Sequence, residues 1–162
     1  MAVELEVSKG GLPDSYDQKI LQILSAKGRI SWRELAHTIG LSLTPTLRRV
    51  RRLESAGYIL GYAALLNERR LAGTIEALVS IALNKQTEAE IASFEAQIAK
   101  VKEVTDCFQI TGESDYLVRV LARDMEHYQA VVSQLTRIRA VFRIQSTFVV
   151  KSVIRRSALV DR

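Results

Sequence analysis

The fold class the sequence predicts is α+β, with a helical domain first and a sheet domain after it, and three observations predict it. Between Asp14 and Gly57, apolar residues recur at helical spacing in three short runs, each closed by a glycine: Gly28, Gly40 and Gly57. From residue 75 to residue 153 the pattern becomes strand, helix, strand, strand, helix, strand. The third short helix carries Arg48, Arg49, Arg51 and Arg52 with no acid between them, a local charge run that suits a polyanion.

Residues 1–13 read as a flexible arm. Val3, Leu5 and Val7 permit a short strand that Gly10, Gly11 and Pro13 cut off. Asp14 can cap the first helix, which runs to about Lys27 with Asp17 in its first turn, favourable to the helix dipole, and with Tyr16, Ile20, Ile23 and Leu24 on one face. Ser31 and Glu34 have capping-box spacing for a second helix whose stripe is Trp32, Leu35, Ala36 and Ile39. Gly40 can take the positive φ of a tight turn, and the small Ala36 lets two helices cross closely, which gives the spacing of a helix-turn-helix. Ser42 or Thr44 caps the third helix, Pro45 sits in its first turn, and Leu43, Leu47, Val50 and Leu53 form its inner face. Arg48 and Arg52 project nearly opposite that face, with Arg49 and Arg51 on its flanks.

A basic run alone is usually a solvated face. Here it sits on the third of three short helices, behind a glycine turn, with threonines in the N-terminal half, which is what insertion into a major groove requires. Guanidinium groups reach phosphates and guanine edges, and hydroxyls reach either. The expected DNA contacts are Ser42, Thr44, Thr46, Arg48, Arg49, Arg51 and Arg52, with Thr44, Thr46 and Arg48 as the base readers.

Residues 14–60 therefore form a helix-turn-helix (winged-helix-like) DNA-binding domain, and 61–74 a linker strand and hinge. Residues 76–83 are apolar on both alternations, as in a strand covered on both sides. A helix over 88–100 presents Ile91, Phe94, Ile98 and Val101. Strands at 104–111 and 116–122 flank Gly112-Glu113-Ser114-Asp115, a tight hairpin loop. Asp124 caps a helix with Met125, Tyr128, Val131, Val132 and Leu135 on its apolar face, and 141–150 is the last strand. This order is a ferredoxin-like βαββαβ sandwich domain over 75–153, followed by a tail, 154–162. Right-handed crossovers put both helices on one face of such a sheet. The other face is bare, and with Leu117 and Leu121 on one alternation it points to at least a homodimer.

Asp17, Ile20-Leu21, Gly28-Arg29-Ile30-Ser31, Glu34-Leu35-Ala36, Gly40-Leu41-Ser42, Arg49-Val50, Leu53-Glu54 and Gly57-Tyr58-Ile59, with Gly112-x-x-Asp115-Tyr116 further on, resemble the Lrp/AsnC (leucine-responsive, feast/famine) family of bacterial transcriptional regulators. Two departures are Leu43, where many members have proline, and Pro13, where the family usually has an apolar residue. The resemblance implies a regulator whose DNA binding or assembly is modulated by an amino-acid effector, with Thr111, Gly112, Glu113, Asp115 and Tyr116 as effector contacts and dimers assembling to octamers. The alternative is an effector-independent, architectural DNA-binding protein of the nucleoid. An enzyme with a vestigial DNA-binding domain is the third class, and no catalytic constellation supports it.

The remaining composition agrees. The chain has 162 residues, 48% hydrophobic, a formal charge of +5 and a pI near 9.6. Nine Lys/Arg face six Asp/Glu in residues 1–66, and fourteen face twelve beyond; the bulk charge thus discriminates little, and the local arginine run does. Cys107 is the single cysteine, so no intrachain disulfide forms, and His37, His127 and Cys107 have no metal-ligand spacing. No cofactor is expected besides the effector. With no signal segment and no membrane span, a cytoplasmic, nucleoid-associated location is expected.

Overall fold

The computed structural model describes residues 12–154. Residues 1–11 of the expected flexible arm and 155–162 of the expected tail, with Arg155, Arg156 and Arg162, lie outside the described residues. The chain divides into two compact units, one ending at Leu65 and the next spanning Leu66–Val153.

The first unit holds α1 (Ser15–Ala26), α2 (Trp32–Ile39) and α3 (Leu43–Ser55). Asp14 and Asp17 form a reciprocal capping box at the start of α1: the Asp14 carboxylate accepts from the Tyr16 and Asp17 amides, and the Asp17 carboxylate accepts from the Asp14 amide. At α2 the Ser31 hydroxyl accepts from the Glu34 amide at 3.2 Å. Gly40 ends α2 at φ 75°, and the Leu41 amide reaches back to the Ala36 carbonyl. Ile20, Leu24, Leu35, Ile39, Val50 and Leu53 meet in one core, with Ile30, Leu41 and Ile59 packed against it. Gly57, at φ 76°, lets the chain leave α3, and residues 58–66 then run without regular hydrogen bonding. Tyr62 folds back here, its ring 6.2 Å from that of Trp32 and its hydroxyl on Glu54.

Three expectations change. Leu43 is 38% exposed rather than on the inner face, because it begins α3 and its side chain falls beyond the core; Thr46 takes the inner place, fully buried. Tyr16 and Met125, expected on apolar faces, are 37% and 46% exposed at the outer ends of their helices. Residues 61–74 contain no strand; Asn67 caps a short helix, α4 (Glu68–Leu71), by accepting from the Arg70 amide.

The second unit is a four-stranded antiparallel sheet in the order β2-β3-β1-β4, from β1 (Ile75–Leu83), β2 (Val104–Gln109), β3 (Tyr116–Ala122) and β4 (Val141–Phe148). Helices α5 (Glu88–Ile98) and α6 (Met125–Thr136) cover one face. Ala77, Val79 and Ile81 of β1 and Tyr116, Val118 and Val120 of β3 point to that side and pack on Phe94, Ile98, Tyr128, Val131 and Leu135. This is the ferredoxin-like sandwich the element order predicts. The opposite face is mixed rather than apolar. Leu78, Leu117 and the 55%-exposed Phe108 share it with Arg119, which pairs with Glu68, Glu76 and Asp106. Burial works against the Arg119 charge, but the hydrogen bonds it donates to Glu68 and Glu76 more than offset it and raise its pKa.

Candidate functional site

The helix-turn-helix surface is built on α3. Ser42 is its N-cap residue, yet its hydroxyl makes no capping bond, so that hydroxyl and the exposed Thr44 beside it are open to a ligand at the helix N-terminus. Arg48 and Arg51 are exposed, and neither has a carboxylate partner among the described residues. These four side chains form the open part of the surface.

Thr46, Arg49 and Arg52 stand differently. Thr46 is fully buried and its hydroxyl donates to the Ser42 carbonyl at 2.9 Å, so it cannot reach a base edge. A threonine mid-helix that back-bonds to the preceding turn has spent its only donor. Arg49 donates to Asp14 at 2.6 Å and to Asp17 at 2.9 Å, with its guanidinium 5.3 Å from the Tyr16 ring centre. Arg52 bonds the other oxygen of Asp17. Asp17 has no exposed side-chain surface, whereas Arg49 keeps 24% and Arg52 55%. The Asp17 amide and then the Arg49 guanidinium hold the Asp14 carboxyl below the usual range; the Asp14 and Asp17 carboxylates in turn raise the Arg49 pKa. Two of the four arginines are thus tied to α1. In sequence Asp14 and Asp17 are recognisable only as cap and dipole partners; their separation of 35 and 32 residues from Arg49 hides the pairing.

A second site lies where β2 turns into β3. The loop is pinned at its base, since the Ile110 amide donates to the Asp115 carbonyl and the Asp115 amide to Ile81. Gly112 turns it at φ 126°. The Asp115 carboxylate accepts from the Leu83 amide at 2.6 Å and from the Gln86 side chain at 2.5 Å. A cavity of about 310 Å³ opens here, with Ile91, Leu83 and Ile110 as apolar lining and Gln86, Thr111 and Asp115 as polar lining; that volume is at the lower end for a small-molecule site.

Of the expected effector contacts, Thr111, Gly112, Asp115 and Tyr116 line this cavity and Glu113 does not; the Glu113 carbonyl instead accepts from Arg143 at 3.2 Å. Tyr116 is only 2% exposed, with its ring 4.5 Å from Phe94 and its hydroxyl donating to Glu95 at 2.9 Å. Burial and then that carboxylate push its phenol pKa far up, so it forms the floor of the cavity rather than a polar contact. Sequence reasoning missed Leu83, Gln86 and Ile91, which come from the end of β1, the connection after it and the start of α5. The only signal for them was their place in the element order.

Among the described residues, no group of three or more His, Cys, Asp or Glu side chains could hold a metal ion, and no helix is long and apolar enough to cross a membrane. His127 hydrogen-bonds Glu103 at 3.1 Å, a surface pair.

Comparison with known proteins matches both units. Residues 13–59 fit the winged helix-turn-helix DNA-binding family and residues 76–159 the Lrp/AsnC ligand binding domain. The Bkd operon transcriptional regulator of Pseudomonas aeruginosa is 51% identical over 146 residues, covering 90% of this chain and 95% of its own. Among solved structures, a transcriptional regulator from Neisseria meningitidis in complex with L-methionine superposes with a TM-score of 0.86 at 35% identity, over 90% of this chain and 95% of that one. A feast or famine regulatory protein from M. tuberculosis, also complexed with L-methionine, gives 0.84 at 26% identity over 93% and 100%. With a helix-turn-helix unit joined to a ferredoxin-like unit that carries a ligand-sized cavity, this chain belongs to the Lrp/AsnC family of transcriptional regulators, DNA-binding proteins with a ligand-binding domain and not enzymes.

Proposed function

We propose that the chain is a cytoplasmic regulator that grips promoter DNA as a symmetric homodimer through α3 and changes that grip when an apolar α-amino acid enters the hairpin cavity. The observation that carries the DNA half is the pair Arg48 and Arg51, exposed beside the open hydroxyls of Ser42 and Thr44. Arg51 holds phosphate, Arg48 and Thr44 read base edges, and Ser42 anchors a phosphate at the helix N-terminus. Arg49 and Arg52 flank this surface with their charges paired to Asp14 and Asp17 and add no net cation to it.

The effector half rests on the cavity. Ile91, Leu83 and Ile110 suit an aliphatic or thioether side chain. Asp115 keeps lone pairs beyond the two it uses and can accept from an ammonium. The amides of Thr111, Gly112, Glu113 and Ser114 donate to no group among the described residues and can meet a carboxylate. The L-methionine complexes of the two similar structures make methionine the first ligand to try. Dimerisation uses the helix-free sheet face, where Phe108, Leu117 and Leu78 would be covered, and further assembly to octamers brings neighbouring loops together.

The test is a thermal-shift screen of the full chain with the twenty amino acids. At a hundredfold excess over Kd a ligand adds about 2.7 kcal/mol of stability, so methionine or a close aliphatic relative raises the Tm while Asp115→Asn blunts the shift. A wild-type chain that responds to no amino acid overturns the effector reading and leaves an architectural role.

A further inference from the structure

We propose that Asp17 is a specificity-determining positioning residue for DNA recognition: it withdraws Arg49 and Arg52 from indiscriminate phosphate attraction and fixes the setting of α3 against α1. The inference rests on the DNA-binding role of α3 and goes beyond it, because Asp17 itself touches no DNA.

Asp17 has no exposed side-chain surface, and each of its oxygens takes a different arginine: Oδ1 accepts from Arg49 at 2.9 Å and Oδ2 from Arg52. Oδ2 also accepts from the Asp14 amide at 3.0 Å. Asp14 adds a second carboxylate on Arg49 at 2.6 Å. Two carboxylates and two guanidinium groups therefore compensate one another along the α1–α3 seam. A buried carboxylate requires partners to remain charged, so the arrangement is stable only while both arginines face it. The consequence for DNA is electrostatic. Of four arginines on one helix, only Arg48 and Arg51 present a charge that no carboxylate among the described residues opposes. Every uncompensated cation adds sequence-independent affinity and about 0.9 to the salt slope per phosphate it neutralises, which raises binding to all DNA alike. By confining two of the four, Asp17 keeps the non-specific background low and leaves recognition to Ser42, Thr44 and Arg48.

The experiment uses the full chain with Asp17→Asn, which keeps the shape and an oxygen for the Asp14 amide, and titrates it on its own promoter DNA and on unrelated duplex DNA between about 50 and 200 mM salt. The expected result is a salt slope on unrelated DNA steeper by about 0.9 per bound protomer, because Arg52 loses its carboxylate while Arg49 keeps Asp14, with a reduced ratio of promoter to unrelated affinity. Adding Arg49→Gln and Arg52→Gln to that variant returns the slope to the wild-type value, which a merely structural Asp17 would not do. If Asp17→Asn does not fold, as judged by far-UV circular dichroism, Asp14→Asn takes its place; asparagine caps as well as aspartate and leaves Asp17 as one carboxylate for two arginines, so the slope steepens by about 0.9 at most. A folded variant with unchanged slope and unchanged specificity ratio overturns the proposal. A wild-type chain with no affinity for any duplex overturns instead the DNA-binding reading of α3.

Discussion

Replacing Arg51 by alanine tests how the open cations of α3 work, and its magnitude follows from the charge pattern. Arg51 is exposed without a carboxylate partner among the described residues, so its removal breaks no ion pair and leaves no buried charge. Each phosphate neutralised contributes about 0.9 to the slope of log K against log salt, and the proposed symmetric dimer would lose two such contacts, so the slope should flatten by about 1.8. Between 50 and 200 mM salt this changes the ratio of mutant to wild-type affinity by about twelvefold, the mutant's deficit being greater at low salt. The loss should be equal on promoter and unrelated DNA, because a phosphate contact carries no sequence information. Fluorescence anisotropy with labelled duplexes at four or five salt concentrations measures both quantities. An unchanged slope, or a loss confined to the promoter, refutes the assignment of Arg51 to the phosphate backbone.

Other substitutions test other parts of the account. Thr46→Val should leave the promoter-to-unrelated affinity ratio unchanged while costing about 1 kcal/mol in denaturant unfolding, since it removes a buried hydrogen bond and no DNA contact. Gly73→Ala should be among the most damaging single changes: its φ is 118°, and a Cβ there would lie 2.1 Å from the Arg123 Cα, a backbone atom that cannot step aside. Expression as a molten or insoluble product, or a fall in Tm of about 10 °C or more, is the expected reading. Phe108→Glu places a charge on the helix-free sheet face and should shift sedimentation equilibrium toward monomer at micromolar concentration, with the fold intact by circular dichroism.

The elements were legible in the sequence because each carries its own local signal. Gly40 and Gly57 mark helix ends with a positive φ, Asp14, Ser31 and Asp124 cap helices, and β1 and β3 are dense in β-branched or aliphatic residues. What stayed hidden depends on distance along the chain. Arg49 and Arg52 look like four-of-a-kind cations with Arg48 and Arg51 until α1 is brought against α3, and only the fold shows that Asp17 faces them. Thr46 and Leu43 differ by three positions on one helix, yet a helical wheel without neighbours cannot say which of the two the core reaches. The β2–β3 hairpin loop is similar. Gly112 and Asp115 were readable as a hairpin, whereas the apolar wall from Leu83 and Ile91 arrives from elements about 20 to 30 residues earlier, and the burial of Tyr116 follows from packing on Phe94. Arg119 escaped notice for the same reason: its three carboxylates come from α4, β1 and β2.

The central claim is that one chain couples amino-acid binding at the hairpin cavity to DNA binding at α3, and thermodynamic linkage tests it most directly. The affinity of the full chain for methionine, or for whichever amino acid the screen selects, is measured by calorimetry without DNA and with saturating promoter duplex; the affinity for that duplex is measured without and with saturating amino acid. Coupling requires both affinities to change by the same factor, on the order of 5 to 150-fold for an allosteric protein. Equal factors well away from one are the predicted result, and an amino acid that binds in the cavity while both ratios stay at one would contradict the account.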